Sequence, residues 1–365
     1  MPDCIIVGGG IIGLLTARQL FLEGVDVLLL EKGPLGGESS WAGGGIISPL
    51  YPWYYDDAVN VLAQRSKILY PSLTKELFEE NGNDSELINS GLFTVIDDDP
   101  TQRQVIFDWI DRWSIDARYV DEKAAIRQIE STVGDAVDKG IWMPDILQIR
   151  NPKFVVALKA SFEHLSIPYQ EHCTVEEIIT DGSKVTGVKT GQENYPTDKV
   201  VIASGAWSAQ FSVTQASVKV NPVKGQMIMY NGEPDLVKRI VLAEGHYIIP
   251  RKDGRILAGS TLEKIGFDKS TSSSALDELH QAAVQLIPLL ADLKIERQWA
   301  GLRPGTEKGI PYICQHDDVE GLYVHAGHFR NGIVLGAASA QLMVDVILNR
   351  EPWCDAIPYT MQAAH

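Results

Sequence analysis

The spacing of apolar positions changes several times along the chain, and each change marks an element. Residues 4–7, Cys-Ile-Ile-Val, are a continuous apolar run, the pattern of a strand buried on both faces, and residues 14–23 then carry apolar side chains at helical spacing. A second apolar run at residues 27–30 ends in Glu31. Helical patterns follow at residues 56–81, 102–113, 122–130 and 151–165, with a strand at 92–96 and Asn151-Pro152 opening the last of these helices. Short alternating strands at 175–179 and 184–188 flank Asp181-Gly182 as a small meander. Residues 199–203 are another buried strand, ending in a Gly205 turn at the start of a helix. Residues 247–251 and 255–259 pair as a hairpin across Lys252-Asp253-Gly254, a helix spans 274–290, and the strand 322–326 precedes a final apolar helix over 334–349. Strands alternating with helices around buried apolar runs predict an α/β fold with a parallel sheet.

The first strand-to-helix turn is the most informative stretch. Gly8, Gly10 and Gly13 form a GxGxxG between strand and helix, with an acid closing the second strand about 20 residues on. Gly8 permits the tight turn, Gly10 lets a pyrophosphate approach the backbone, and Gly13 lets the helix pack closely on the sheet. Phosphates would rest on the free N–H groups of the helix start, and Glu31 would take the ribose hydroxyls, disfavouring a 2′-phosphate. Residues 36–49 are too glycine-rich for a helix interior and read as close backbone approach, with Ser39 and Ser40 as phosphate donors. Trp53, Tyr54 and Tyr55 form an aromatic cluster that is either core or the wall of a pocket.

Composition narrows the partners. The 365 residues carry a net charge of −16, which disfavours nucleic acid and anionic membrane surfaces and favours a small-molecule partner. The four cysteines, Cys4, Cys173, Cys314 and Cys354, show no metal-ligand spacing and are expected to stay thiols in a reducing compartment, with no metal site. The first strand begins almost at Met1 and no charge-free stretch reaches membrane-spanning length, so a cytoplasmic protein without stable membrane insertion is expected. Monomer and homo-oligomer stay open.

Two later motifs are specific: Gly301-Leu302-Arg303-Pro304-Gly305-Thr306 and Gly327-His328-Phe329-Arg330-Asn331-Gly332. With the fingerprint, Ser39-Ser40 and the Ala203–Ser208 turn in the same order, the chain resembles, over nearly its full length, the glycine oxidase branch of the D-amino-acid oxidase family of flavoproteins. The resemblance implies a Rossmann-like FAD domain of the glutathione-reductase type, from residues 1–82, 150–219 and 301–365. Residues 83–149 and 220–300 would form an inserted α+β substrate domain on a mixed, largely antiparallel sheet. It further implies non-covalent FAD, with Ile11 and Ile12 at the pyrophosphate turn, Glu31 and Lys32 at the adenosine ribose, and Ser39 and Ser40 on the phosphates. Gly44, Gly45 and Ile46 would face the flavin, the backbone of Val175 would meet adenine, and His328, Phe329, Arg330, Asn331, Gly332, Ile333 and Val334 would cover the pyrimidine side. Arg303 would hold the substrate carboxylate, helped by Tyr247 and Arg330.

The implied reaction is oxidative deamination of glycine or another small amino acid or amine, with molecular oxygen as acceptor. A bidentate guanidinium suits carboxylate orientation, and hydride transfer from a neutral amine needs no protein base, so no catalytic residue is assigned. Arg303 is expected to project from a shaped turn between Gly301 and Pro304-Gly305. Two relatives of the fold compete: a dehydrogenase of D-amino acids passing electrons to a quinone, and a flavoprotein of tRNA modification, which the charge of −16 disfavours. A covalent flavin of the sarcosine-oxidase type would need a cysteine near residues 301–304, where none occurs. Whether the product feeds thiamine biosynthesis is not legible.

Overall fold

The computed structural model describes residues 1–97, 99–363 and 365. The apolar runs assemble the middle of a six-stranded sheet. Cys4–Val7 lies between Val27–Leu30 and Val200–Ile202, and Leu322–Ala326 follows, all parallel. Tyr169–Gln170 extends one edge in parallel, and Tyr312–Gln315 closes the other antiparallel.

Both faces of this sheet are covered, which is why its strands read as unbroken apolar runs. Cys4 and Ile6 point into a core shared with the helices Ile11–Leu22, Asp57–Asn81, Asn151–Leu165 and Gly332–Ile347. Ile5 and Val7 point the other way, under the three-stranded meander Val175–Asp181, Lys184–Thr190 and Asn194–Pro196. The alternation of side chains along a strand thus splits one tetrapeptide between two cores. The long helix starts where Asp56 accepts a hydrogen bond from Ala58 N at 2.9 Å and stops at Gly82, whose φ of 74° places it in the left-handed region. Tyr70 Oη donates to Ile333 O, fastening this helix to the start of the last one.

The second sheet has eight strands in the order Lys294–Gly305, Asn221–Asn231, Arg255–Gly259, His246–Pro250, Ile240–Ala243, Leu92–Val95, Gly140–Met143 and Arg118–Val120. It is antiparallel except where Leu92–Val95 meets Ile240–Ala243. Helix Ser273–Leu286 packs on one face, and helix Pro100–Trp113 contributes Ile106 and Trp109 to the core on the other. In the edge strand Lys294–Gly305, Arg297 pairs with Met229 and Ile295 with Tyr230, so Glu296 is an extra, bulged residue.

Five expectations change. Arg303 does not sit on a turn but within that twelve-residue edge strand. The strand tolerates Pro304 because an edge strand has one side with no ladder to break. The Gly205 turn opens only the 3-10 turn Gly205–Trp207, and the helix expected at 274–290 ends at Leu286, before Pro288. Residues 39–42 do form one helical turn, flanked by Gly37 and Gly43. The Asn151 side chain donates to Ser40 O at 2.8 Å instead of capping its own helix. Among the described residues no helix is long and apolar enough to cross a membrane.

Candidate functional site

The C-terminal ends of the parallel strands and one face of the second sheet enclose a cavity of about 400 Å³. Gly8, Gly10, Ile11, Ile12, Glu31, Lys32, Ser39, Ser40, Gly44, Gly45, Ile46 and Val175 all line it, as do residues 328–334 and the expected substrate residues Tyr247, Arg303 and Arg330. Gly13 does not, in keeping with a packing role: a Cβ there would collide with Gly8 O.

The cradle end is made of backbone. Gly8 has φ of 114°, and a Cβ on it would lie 2.5 Å from Ala203 O. Around Gly10, by contrast, a Cβ would meet only Ser40 Oγ, at 3.3 Å, so this glycine keeps the cavity side of the turn open. Gly10 is the N-cap of helix Ile11–Leu22 and offers no side chain to its first-turn amides. One of those amides, Ile11 N–H, already donates to Ser40 Oγ at 2.8 Å, which ties the serine turn to the helix start. Glu31 Oε2 accepts from Gly9 N at 2.6 Å and Oε1 from Gly33 N at 2.9 Å, so the acid is held by peptides at the tip of its strand. Lys32 Nζ lies 3.1 Å from the centroid of the Trp207 ring. An anion-accepting helix start, an acid for hydroxyls and an open glycine face are what a dinucleotide requires, so the residues present fit FAD.

The far end is made of side chains. Arg303 is partly buried; its Nη1 donates to Lys224 O at 3.2 Å and Thr261 O at 3.0 Å, and its Nη2 to Ser260 Oγ at 2.7 Å. The guanidinium lies against Gly225, where any Cβ would collide with it. All its protein partners are neutral, and among the described residues no carboxylate lies within ion-pairing distance of it. Burial depresses its pKa, with Tyr247 acting against that and Arg330 adding to it. The cavity-lining carboxylates belong elsewhere: Glu31 follows the second strand, Glu38 precedes the Ser39–Ala42 turn, and Glu176 is in the meander.

Several residues that sequence reasoning passed over complete this end. Arg251, 6% exposed, donates to Gly44 O at 2.7 Å, Gln148 Oε1 at 2.6 Å and Ile149 O at 3.2 Å, pinning the glycine loop; burial, then Arg150, lowers its pKa to about 10. Ile149 N donates to Gly45 O at 2.8 Å, and Trp299 Nε1 to Ala42 O at 3.0 Å. Asn151, Met227, Gly225 and Ser260 also line the cavity. Gly225 carried a readable signal, an isolated glycine within a strand pattern, which marks close approach. The others had none.

The aromatic cluster does not wall the cavity, and only Trp53 of it is core. Trp53 packs with Trp109 in the second sheet's core, Tyr54 is exposed, and none of Trp53, Tyr54 and Tyr55 lines the cavity, whereas Ser48 and Leu50 do. Tyr51, at φ 55°, accepts from Gly245 N at 3.0 Å and so ties this loop to the hairpin bearing Tyr247.

Two buried histidines close the floor. Thr16 Oγ1 donates to Ile12 O at 2.8 Å, so it accepts from His325 Nδ1 at 2.9 Å; Ser339 Oγ donates to Gly336 O at 3.2 Å, so it accepts from His328 Nε2 at 3.1 Å. Burial holds both rings neutral, His328 down to about 3. Cys314 is buried in a separate small cluster and does not line the cavity.

Comparison with known proteins agrees with this geometry. The family model described as DAO, FAD dependent oxidoreductase, matches residues 3–346. Glycine oxidase of Pseudomonas aeruginosa is 42% identical over 97% of this chain and 97% of its own. Glycine oxidase of Pseudomonas putida matches to the same extent, 42% over 97% of both chains. The crystal structure of glycine oxidase from Geobacillus kaustophilus superposes with a TM-score of 0.92, covering 99% of this chain and 98% of that one at 29% identity.

Proposed function

Since the chain belongs to the FAD dependent oxidoreductase (DAO) family and is FAD-dependent, we propose that it oxidatively deaminates glycine or a similarly small primary or secondary amino acid. The imine formed by two-electron oxidation is hydrolysed by water to a 2-oxo acid and ammonia, or to a 2-oxo acid and a primary amine when the substrate is a secondary amino acid, and molecular oxygen takes up the electrons as hydrogen peroxide. The observation that carries this reading is Arg303: a cation at the cavity wall, fixed by two carbonyls and a hydroxyl and lacking a protein counterion among the described residues. A partly buried charge of this kind favours an anionic ligand, and a planar guanidinium suits a carboxylate.

Division of labour follows from the two ends. Peptides of the turn after Cys4–Val7, with Glu31, Ser39, Ser40 and the start of the last helix, hold FAD non-covalently; Arg303, with Tyr247 and Arg330 beside it, holds the carboxylate. FAD, when bound, supplies the two-electron acceptor. The protein's own contribution is placement, because a carboxylate fixed at Arg303 leaves an α-carbon and its nitrogen little freedom. Gly44 and Gly45 let their loop lie close against Tyr247, Ile249 and the Ile149 carbonyl, and Arg251 and Ile149 keep those glycines in place. No protein base is assigned: the amine arrives neutral, so kcat/KM rises toward alkaline pH instead of tracing a bell centred near neutrality.

Anaerobic stopped-flow mixing with glycine, sarcosine and D-alanine tests the reading. Flavin bleaching by at least one, with peroxide released on readmitting air, is expected. No reduction by any of the three in an FAD-loaded enzyme would overturn the assignment.

A further inference from the structure

Arg303 pairs through its backbone with Val223, yet its side chain crosses the neighbouring strand at Gly225 to reach Ser260 and Thr261. Its direction therefore depends on the two carbonyls that receive Nη1, those of Lys224 and Thr261. Both residues are tied to Glu263. The peptides of Lys224 and Glu263 exchange hydrogen bonds of 2.9 Å in each direction. Glu263 Oε1 accepts from Thr261 Oγ1 at 2.6 Å and from Gln226 Nε2 at 2.9 Å, and Oε2 lies 3.5 Å from Lys224 Nζ. Lys224 is 3% exposed and shares its charge with Asp268, also at 3.5 Å. Gln226 N donates to Thr261 Oγ1 at 2.9 Å and closes the ring of contacts. Glu263 itself does not line the cavity.

We propose that Glu263 is a positioning residue for Arg303: its carboxylate locks together the two peptides on which the guanidinium rests, and so sets the point at which a substrate carboxylate is received. This rests on the reading of Arg303 as the carboxylate anchor. A charged oxygen accepting from Thr261 and Gln226 and facing a buried ammonium is a firmer brace than a neutral amide of the same shape. Loss of such supporting contacts typically weakens the site they orient by about 10-fold or more. Because the effect passes through Arg303, it vanishes when Arg303 is absent.

The test is a double-mutant cycle in the FAD-loaded enzyme with Glu263→Gln, Arg303→Ala and the pair. Three quantities are read: KM and kcat for glycine, the Kd of acetate from perturbation of the flavin spectrum, and the Kd of FAD. The Glu263→Gln variant raises KM and the acetate Kd roughly 10-fold, with kcat and FAD affinity unchanged, and adds nothing in the Arg303→Ala background. Restoration by Glu263→Asp, which keeps the charge, is also expected. An unchanged acetate Kd in Glu263→Gln, or an equal loss with and without Arg303, overturns the proposal while leaving the anchor reading intact. Unchanged acetate binding in Arg303→Ala overturns both. If Glu263→Gln fails to take up FAD, Thr261→Val, which removes the hydroxyl link, enters the same cycle with the same criteria.

Discussion

The two ends of the cavity are built on opposite plans. The cradle comes from a stretch of fewer than thirty residues and works through peptide groups: the Gly8 turn, the helix start at Gly10, and an acid clasped by Gly9 and Gly33 amides. The Arg303 end gathers residues from both sheets and their loops, and works through side chains seated on neutral oxygens. A backbone site is insensitive to most substitutions and intolerant of a few; a side-chain site depends on each neighbour that sets an angle.

This contrast can be broken first at Gly13. A Gly13→Val substitution sets a branched side chain against Gly8 O, backbone on backbone, where no rotamer gives relief. The expected product is a colourless protein that takes up no FAD, seen directly as missing flavin absorbance; yellow protein would show that the turn can relax. The overpacking itself costs about 1–3 kcal/mol of stability, which a thermal melt of the apoprotein reads.

Arg303→Ala should instead leave the protein yellow and lower kcat/KM for carboxylate substrates by roughly 30- to 1000-fold, the equivalent of about 2–4 kcal/mol, with Arg303→Lys restoring only part. Unchanged steady-state kinetics would move the carboxylate to another group. Gly225→Ala sharpens the comparison, since one methyl displaces the guanidinium without deleting it. Here the loss should be smaller than for Arg303→Ala and expressed in KM, with FAD affinity measured by flavin fluorescence unaffected.

The smallest effect concerns pH. His328 stays neutral down to about 3 in the folded chain, whereas an unfolded histidine protonates near 6.5. Between those values the unfolded state binds the extra proton, so stability falls with falling pH by about 1.4 kcal/mol per pH unit; above 6.5 the residue adds no slope. His325 acts in the same direction. Urea melts at pH 7.5, 6 and 5 should show a shallower loss for His328→Asn than for the unmodified chain.

Much of this was legible in the sequence, for reasons that follow the same contrast. The strands Cys4–Val7 and Leu322–Ala326 appear with the expected bounds because strands buried on both faces leave unbroken apolar runs. The cradle was legible because its geometry is local, and the motifs around Arg303 and Arg330 through resemblance. What stayed hidden is what depends on distant partners. Nothing in Ser260, Thr261 or Lys224 as residue types announces a seat for a guanidinium. The GLRPG stretch looks like a turn because Gly and Pro usually make one; only its place at a sheet edge lets it be a strand. The aromatic cluster gave no local sign of which way its rings face.

The bulge at Glu296 gains significance from where Arg303 stands. Side chains alternate faces along a strand, so a slip of one residue in the pairing of Lys294–Gly305 with Asn221–Asn231 would turn Arg303 to the opposite side of the sheet. A single extra residue seven positions upstream separates that register from the pairing of Ile295 and Lys294 beyond it, so an adjustment at the far end is taken up before it reaches Arg303. Chemistry at one end of the strand is thus insulated from its other end: removing Glu296 would join Ile295 to Arg297 with both of their pairs kept, and would leave Arg303 on the pocket side.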